Sequence, residues 1–97
     1  MTLSDEERAR ALEALPEWRY EPAERAIRRG YSFADFGEAF AFMARAALAA
    51  EKADHHPDWS NSWNKVSVAL STHSAGGVTA KDIDLAKAMD AFAARLP

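Results

Sequence analysis

Phe33-Ala-Asp-Phe-Gly-Glu-Ala-Phe40-Ala-Phe-Met43 opens the stretch that decides the fold, and Glu51-Lys-Ala-Asp-His-His-Pro57 closes it. Between them Phe33, Phe36, Phe40, Met43 and Ala47 recur every three or four residues, the stripe of an amphipathic helix laid on a core. The spacing predicts a helix over residues 33 to about 53. His56 stands directly before Pro57, whose ring disfavours the α conformation in its neighbour, so the helix should end at or just before the histidine pair. His55 and His56 are thus expected at a helix-to-strand junction.

Upstream, Ser4 followed three residues later by Glu7 reads as a capping box for a first helix over residues 4–15, which Pro16 stops. Residues 18–21 and 26–33, separated by Pro22-Ala-Glu, read as a hairpin in which Ile27, Arg29, Tyr31 and Phe33 alternate with Arg28, Gly30 and Ser32. Downstream, Trp59, Asn61 and Trp63 share one side of a third strand, and Val66, Val68 and Leu70 share one side of a fourth. Their turn is expected at Asn61-Ser62 or Asn64-Lys65. The same period puts Ser67, Ala69, Ser71 and His73 on the opposite face, so His73 is expected on a strand, pointing away from the core. Ser74-Ala-Gly-Gly reads as a flexible connection. Thr79 with Asp82 forms a second capping box before a last helix carrying Ile83, Leu85, Ala86, Met89, Phe92, Ala93 and Leu96. The order is α-β-β-α-β-β-α. Strands in hairpins favour an α+β single domain over residues 1–97, a four-stranded antiparallel sheet with three helices packed on one face.

Composition removes alternatives. Ninety-seven residues, 48% of them hydrophobic, suit one compact domain. The absence of cysteine excludes a disulfide framework, a thiolate metal site and a cysteine nucleophile. The start, Met-Thr-Leu-Ser-Asp-Glu-Glu-Arg, is charged where a secretory signal needs an apolar run, and no segment approaches the ~20 apolar residues of a membrane span. A cytoplasmic protein without a membrane partner is the expectation. Net charge is −3 and the basic residues are scattered, which argues against nucleic-acid binding.

All three histidines, His55, His56 and His73, fall within nineteen residues of one another, and imidazole titrates at about 6.5. Proton transfer near neutrality is therefore the leading chemistry. Each polar residue also has an ordinary reading: His55 and His56 as helix C-terminal cations, His73 as a strand end, Asp82 as the third helical residue of a capping box. A three-histidine zinc site would leave an open position, but adjacent histidines diverge unless the backbone bends, and the chain has no helical His-x-x-x-His pair. No metal is expected.

Glu51-x-x-x-His55-His56-Pro57, then Trp63, His73 and Asp82, with the flanking Asp54, Trp59, Asn64-Lys65-Val66 and Leu70-Ser71-Thr72-His73, closely resembles the signature of the pterin-4a-carbinolamine dehydratases. Weaker similarity covers Trp18, Ile27, Phe33, Asp35-Phe36 and Phe40 to Met43, and Asp82-Ile83-Asp84-Leu85-Ala86 follows more clearly; Ala75-Gly-Gly-Val-Thr79 follows less tightly. The resemblance implies dehydration of 4a-hydroxytetrahydrobiopterin to quinonoid dihydrobiopterin, the step that recycles the pterin used by aromatic amino-acid hydroxylases. That reaction moves one proton from ring nitrogen N5 and delivers one to the departing C4a hydroxyl, with no redox change, so it needs no cofactor. By the family's pattern His55, His56 and His73 line the pterin site as acid and base. The resemblance also places Asp54, Ser71, Thr72 and Ser74 against the ring, with Asp82 orienting a histidine and Trp59 and Trp63 as wall or packing. It further implies a homodimer or homotetramer. An alternative within the family is a non-catalytic role as a dimerisation or assembly cofactor for a protein partner.

Overall fold

A computed structural model of the chain describes residues 1–96. The elements are α1 (Asp5–Leu12), β1 (Arg19–Glu21), β2 (Ala26–Ser32), α2 (Phe36–Ala53), β3 (Asp58–Ser62), β4 (Lys65–Leu70), a 3₁₀ turn (His73–Ala75) and α3 (Ala80–Ala94). The fold is the α+β domain expected, with one antiparallel sheet in the order β1-β2-β4-β3.

Local chemistry accounts for most boundaries. The Ser4 hydroxyl accepts from the Glu7 N–H and the Glu7 carboxylate accepts from the Ser4 N–H, closing the expected capping box. The helix stops at Leu12, earlier than Pro16 suggested, and Leu15 turns inward to join the core. Asp35 caps α2 by accepting from the Glu38 N–H at 2.8 Å, so α2 starts at Phe36 and not at Phe33. The β3–β4 turn is Trp63-Asn64, between the two positions expected. Trp63 adopts φ 50° there, and the Asn64 amide donates to the Phe33 carbonyl at 2.8 Å, pinning the turn beside the start of α2.

Ile27, Tyr31, Val66, Val68 and Leu70 face the helices and are fully buried. α2 meets them with Ala39, Phe42, Ala46 and Ala50. This corrects the expected stripe: Phe36 and Phe40 are 48% and 58% exposed, Ala47 is exposed, and Met43 and Phe33 are only partly buried. The helix is as predicted but rotated, because three alanines on one side allow close packing while Phe42 fills the space between sheet and helices. α3 completes the layer with Ile83, Leu85, Ala86 and Met89.

Candidate functional site

The site is built on how α2 ends. Asp54 takes the left-handed conformation (φ 52°, ψ 44°), its N–H bonds the Glu51 carbonyl, and the next N–H, from His55, reaches back to the Ala50 carbonyl at 3.0 Å. This is a Schellman closure, with aspartate where glycine is usual. It separates the two adjacent histidines: His55 turns inward and is 8% exposed, while the His56 side chain stays 58% exposed. Pro57 then sends the chain into β3.

Each imidazole faces its own carboxylate. His55 Nε2 lies 2.5 Å from Asp82 Oδ1, in the interior. His56 Nε2 lies 2.8 Å from Glu51 Oε1, one helical turn back on α2. His73 Nε2 lies 3.5 Å from Asp58 Oδ2, with both side chains largely in solvent. Asp58 is two residues beyond His56 and pairs with Ala69, near the end of β4. All three pairs therefore gather at one end of the sheet.

His73 is not on a strand. β4 ends at Leu70, and Thr72 forms a bridge with Gly77 that folds residues 73–76 into a tight turn, with Gly76 at φ 80°. The stretch read as flexible is thus an ordered loop that carries His73 outward.

Asp82, fully enclosed, is the hub beneath the surface. Its Oδ2 accepts from Thr72 Oγ1 at 2.9 Å and from the Thr79 N–H at 2.8 Å, while Oδ1 serves His55. Thr79 and Asp82 form the capping box of α3, so one carboxylate both starts a helix and holds an imidazole.

The other predicted residues divide. Ser74 lines an opening of about 380 Å³ with Thr72, Ala75, Thr79 and Lys81. The Ser71 hydroxyl is turned to the Arg25 carbonyl at 2.8 Å. Trp59 packs half-buried against the core, and Trp63 sits at the far tip of the β3–β4 hairpin, away from the imidazoles. Asp54 is exposed at the end of α2. Glu51 and Asp58 stand behind His56 and His73 without a role legible in sequence, save that Glu51 lies in the last turn of α2, just before the histidine pair. Among the described residues, no three His, Asp or Glu side chains converge as a metal centre requires.

Comparison with known proteins follows the same outline. The family model described as "Pterin 4 alpha carbinolamine dehydratase" matches residues 1–92. A Rhizorhabdus wittichii protein named "Putative pterin-4-alpha-carbinolamine dehydratase" is 56% identical over 91 residues, covering 94% of each chain. A Rhodopseudomonas palustris protein of the same name is 58% identical over 94 residues, covering 97% of this chain and 93% of its own. The crystal structure of a "transcriptional coactivator/pterin dehydratase" from Brucella melitensis superposes with a TM-score of 0.93 at 49% identity, over 96% of this chain and 99% of that one. With a family model spanning nearly all its length and relatives above half identity, the chain belongs to the pterin-4a-carbinolamine dehydratase family.

Proposed function

We propose that the protein dehydrates 4a-hydroxytetrahydrobiopterin to quinonoid dihydrobiopterin, recycling the pterin of aromatic amino-acid hydroxylases in the cytoplasm. The observation that carries this reading is the set of three imidazole–carboxylate pairs at one end of the sheet, graded from buried to exposed. Dehydration asks for a base at N5 and an acid at the leaving hydroxyl, and a carboxylate behind each imidazole orients it. His56 and His73, being accessible, meet the substrate as the acid–base couple. His55, anchored by Asp82, presents its remaining nitrogen from below. Asp54, Ser74 and the backbone of residues 71–74 supply hydrogen bonds to the flat ring. Steady-state turnover of freshly generated 4a-hydroxytetrahydrobiopterin is the test. Rates no better than the uncatalysed loss of water would end this reading, and full activity after exhaustive chelation is the expected companion result.

The active form is a homo-oligomer. β1 and β3 leave their outer edges unpaired; Phe36 and Phe40, 48% and 58% exposed, pack ring to ring at the start of α2, and Trp63 in the β3–β4 turn is 64% exposed. Sedimentation at micromolar concentration should give a dimer or tetramer; a monomer would contradict it. A second reading, a coactivator role, takes its support from the description of the Brucella protein. It would use these exposed surfaces and would survive replacement of all three histidines.

A further inference from the structure

We infer that Thr79 and Thr72 form a one-way hydrogen-bond chain that sets the tautomer of His55 through Asp82, making both threonines positioning residues for proton transfer. This rests on the reading of His55 as part of the dehydration site.

The direction follows from counting protons. Thr72 Oγ1 is 2.9 Å from Asp82 Oδ2 and 2.7 Å from Thr79 Oγ1. A hydroxyl has one proton to give, and a carboxylate oxygen only accepts. Thr72 therefore spends its proton on Asp82, and the contact with Thr79 is satisfied only if Thr79 donates. Thr79 Oγ1 accepts in turn from the Lys81 N–H at 3.3 Å. The chain runs from the first turn of α3 through Thr79 and Thr72 to Asp82, every dipole pointing the same way, and such aligned bonds polarise one another. Thr72 cannot swing out of line, because its N–H donates to the Gly77 carbonyl at 2.8 Å and its own carbonyl accepts from Gly77, Ala75 and Gly76.

With Oδ2 occupied by two donors and water excluded from Asp82, Oδ1 is the oxygen left for the imidazole. It accepts a hydrogen bond from the His55 Nε2–H, which leaves the ring's lone pair on Nδ1. That nitrogen bonds no described residue, and the one enclosed side-chain nitrogen or oxygen without a partner among the described residues is Arg29 Nε, so Nδ1 is open to solvent. The chain therefore aims a basic nitrogen outward. The Thr72 hydroxyl thus acts from behind the imidazole.

The test reads the ring directly. Long-range ¹H–¹⁵N spectra of the histidines should show His55 of the wild-type protein as the Nε2–H tautomer, with a low-field Nε2 proton. Thr72→Val, which leaves the α3 cap intact, should mix the tautomers and shift or remove that proton. It should also lower kcat about tenfold with KM within about twofold, as loss of orientation and not of binding predicts. Thr79→Val should do the same more weakly, and Thr79→Ser should restore the wild-type spectrum. An Nδ1–H tautomer in the wild type, or an unchanged His55 spectrum in both valine variants, overturns the chain. Should the wild type itself lack turnover, the dehydratase reading fails while the spectra still decide the chain.

Discussion

Asp82 and Asp90 sit two turns apart on α3, each drawing three donors, yet they serve opposite ends of the molecule. Asp90 Oδ1 takes Trp18 Nε1 at 3.0 Å, Arg29 at 2.7 Å and the Tyr31 hydroxyl at 2.5 Å. These donors keep their protons across the neutral range. Burial, and then the hydrogen bond to Asp90, push the Tyr31 phenol far above its ordinary value. The Asp90 cluster is thus a permanent clasp tying α3 to β2 and to the segment before β1. Asp82 differs in one partner: among its donors is an imidazole, a ring whose second nitrogen can face outward while the first is held. Similar coordination numbers give a fixed joint in one place and the anchor of the proposed site in the other, and the imidazole among the donors makes the difference.

Breaking the catalytic side should produce the largest effect. His56→Ala and His73→Ala should each lose about 10²- to 10⁴-fold in turnover, roughly 3 to 5 kcal/mol of barrier, while staying folded. His55→Ala should lose rate on the same order and stability as well, since it strands the enclosed Asp82. Near wild-type turnover in either His55→Ala or His73→Ala would remove that residue from the chemistry. Breaking the joint should do the reverse. Asp90→Asn should cost about 2 to 3 kcal/mol in urea unfolding, because Arg29 and Tyr31 lose a charged acceptor, yet leave kcat of the folded protein within about twofold. A hundredfold loss of kcat there would erase the distinction between the two carboxylates. The smallest effect sharpens it. Because the folded phenol of Tyr31 titrates above its unfolded value, its stabilisation is complete below about pH 10 and is lost at about 1.4 kcal/mol per pH unit above that. Tyr31→Phe should flatten this alkaline slope, and an unchanged slope would assign it to another group.

The elements were legible because caps and periods are local. Ser4 with Glu7, Thr79 with Asp82, and His56 before Pro57 each mark a boundary within a few residues of where it falls. Faces were less legible. α2 carries apolar residues on more than one side, and an alanine-rich stripe of Ala39, Ala46 and Ala50 looks weaker in sequence than a row of phenylalanines, although close packing prefers it. His73 could not be placed from alternation because Thr72 closes a turn with Gly77, a pairing visible only in three dimensions. The pairing of Asp82 with His55 spans 27 residues and was anticipated only through the family signature. The Asp90 clasp is not legible in sequence, although Arg29 on the core side of β2, between Ile27 and Tyr31, signals that a partly buried carboxylate pairs with it.

The strand order has a consequence for how the protein comes into being. β4 lies at the centre of the sheet, yet it is the last strand to leave the ribosome. Until it arrives, β2 can pair only with the three-residue β1, and the apolar faces of β2 and α2 have no floor to close on. Closing Tyr31 onto Val66 brings together residues far apart in sequence, the slow kind of contact in folding. Asp82 follows still later. A nascent or truncated chain ending before α3 would therefore possess all three imidazoles and no Asp82 to hold His55, so the buried imidazole–carboxylate pair forms only with α3.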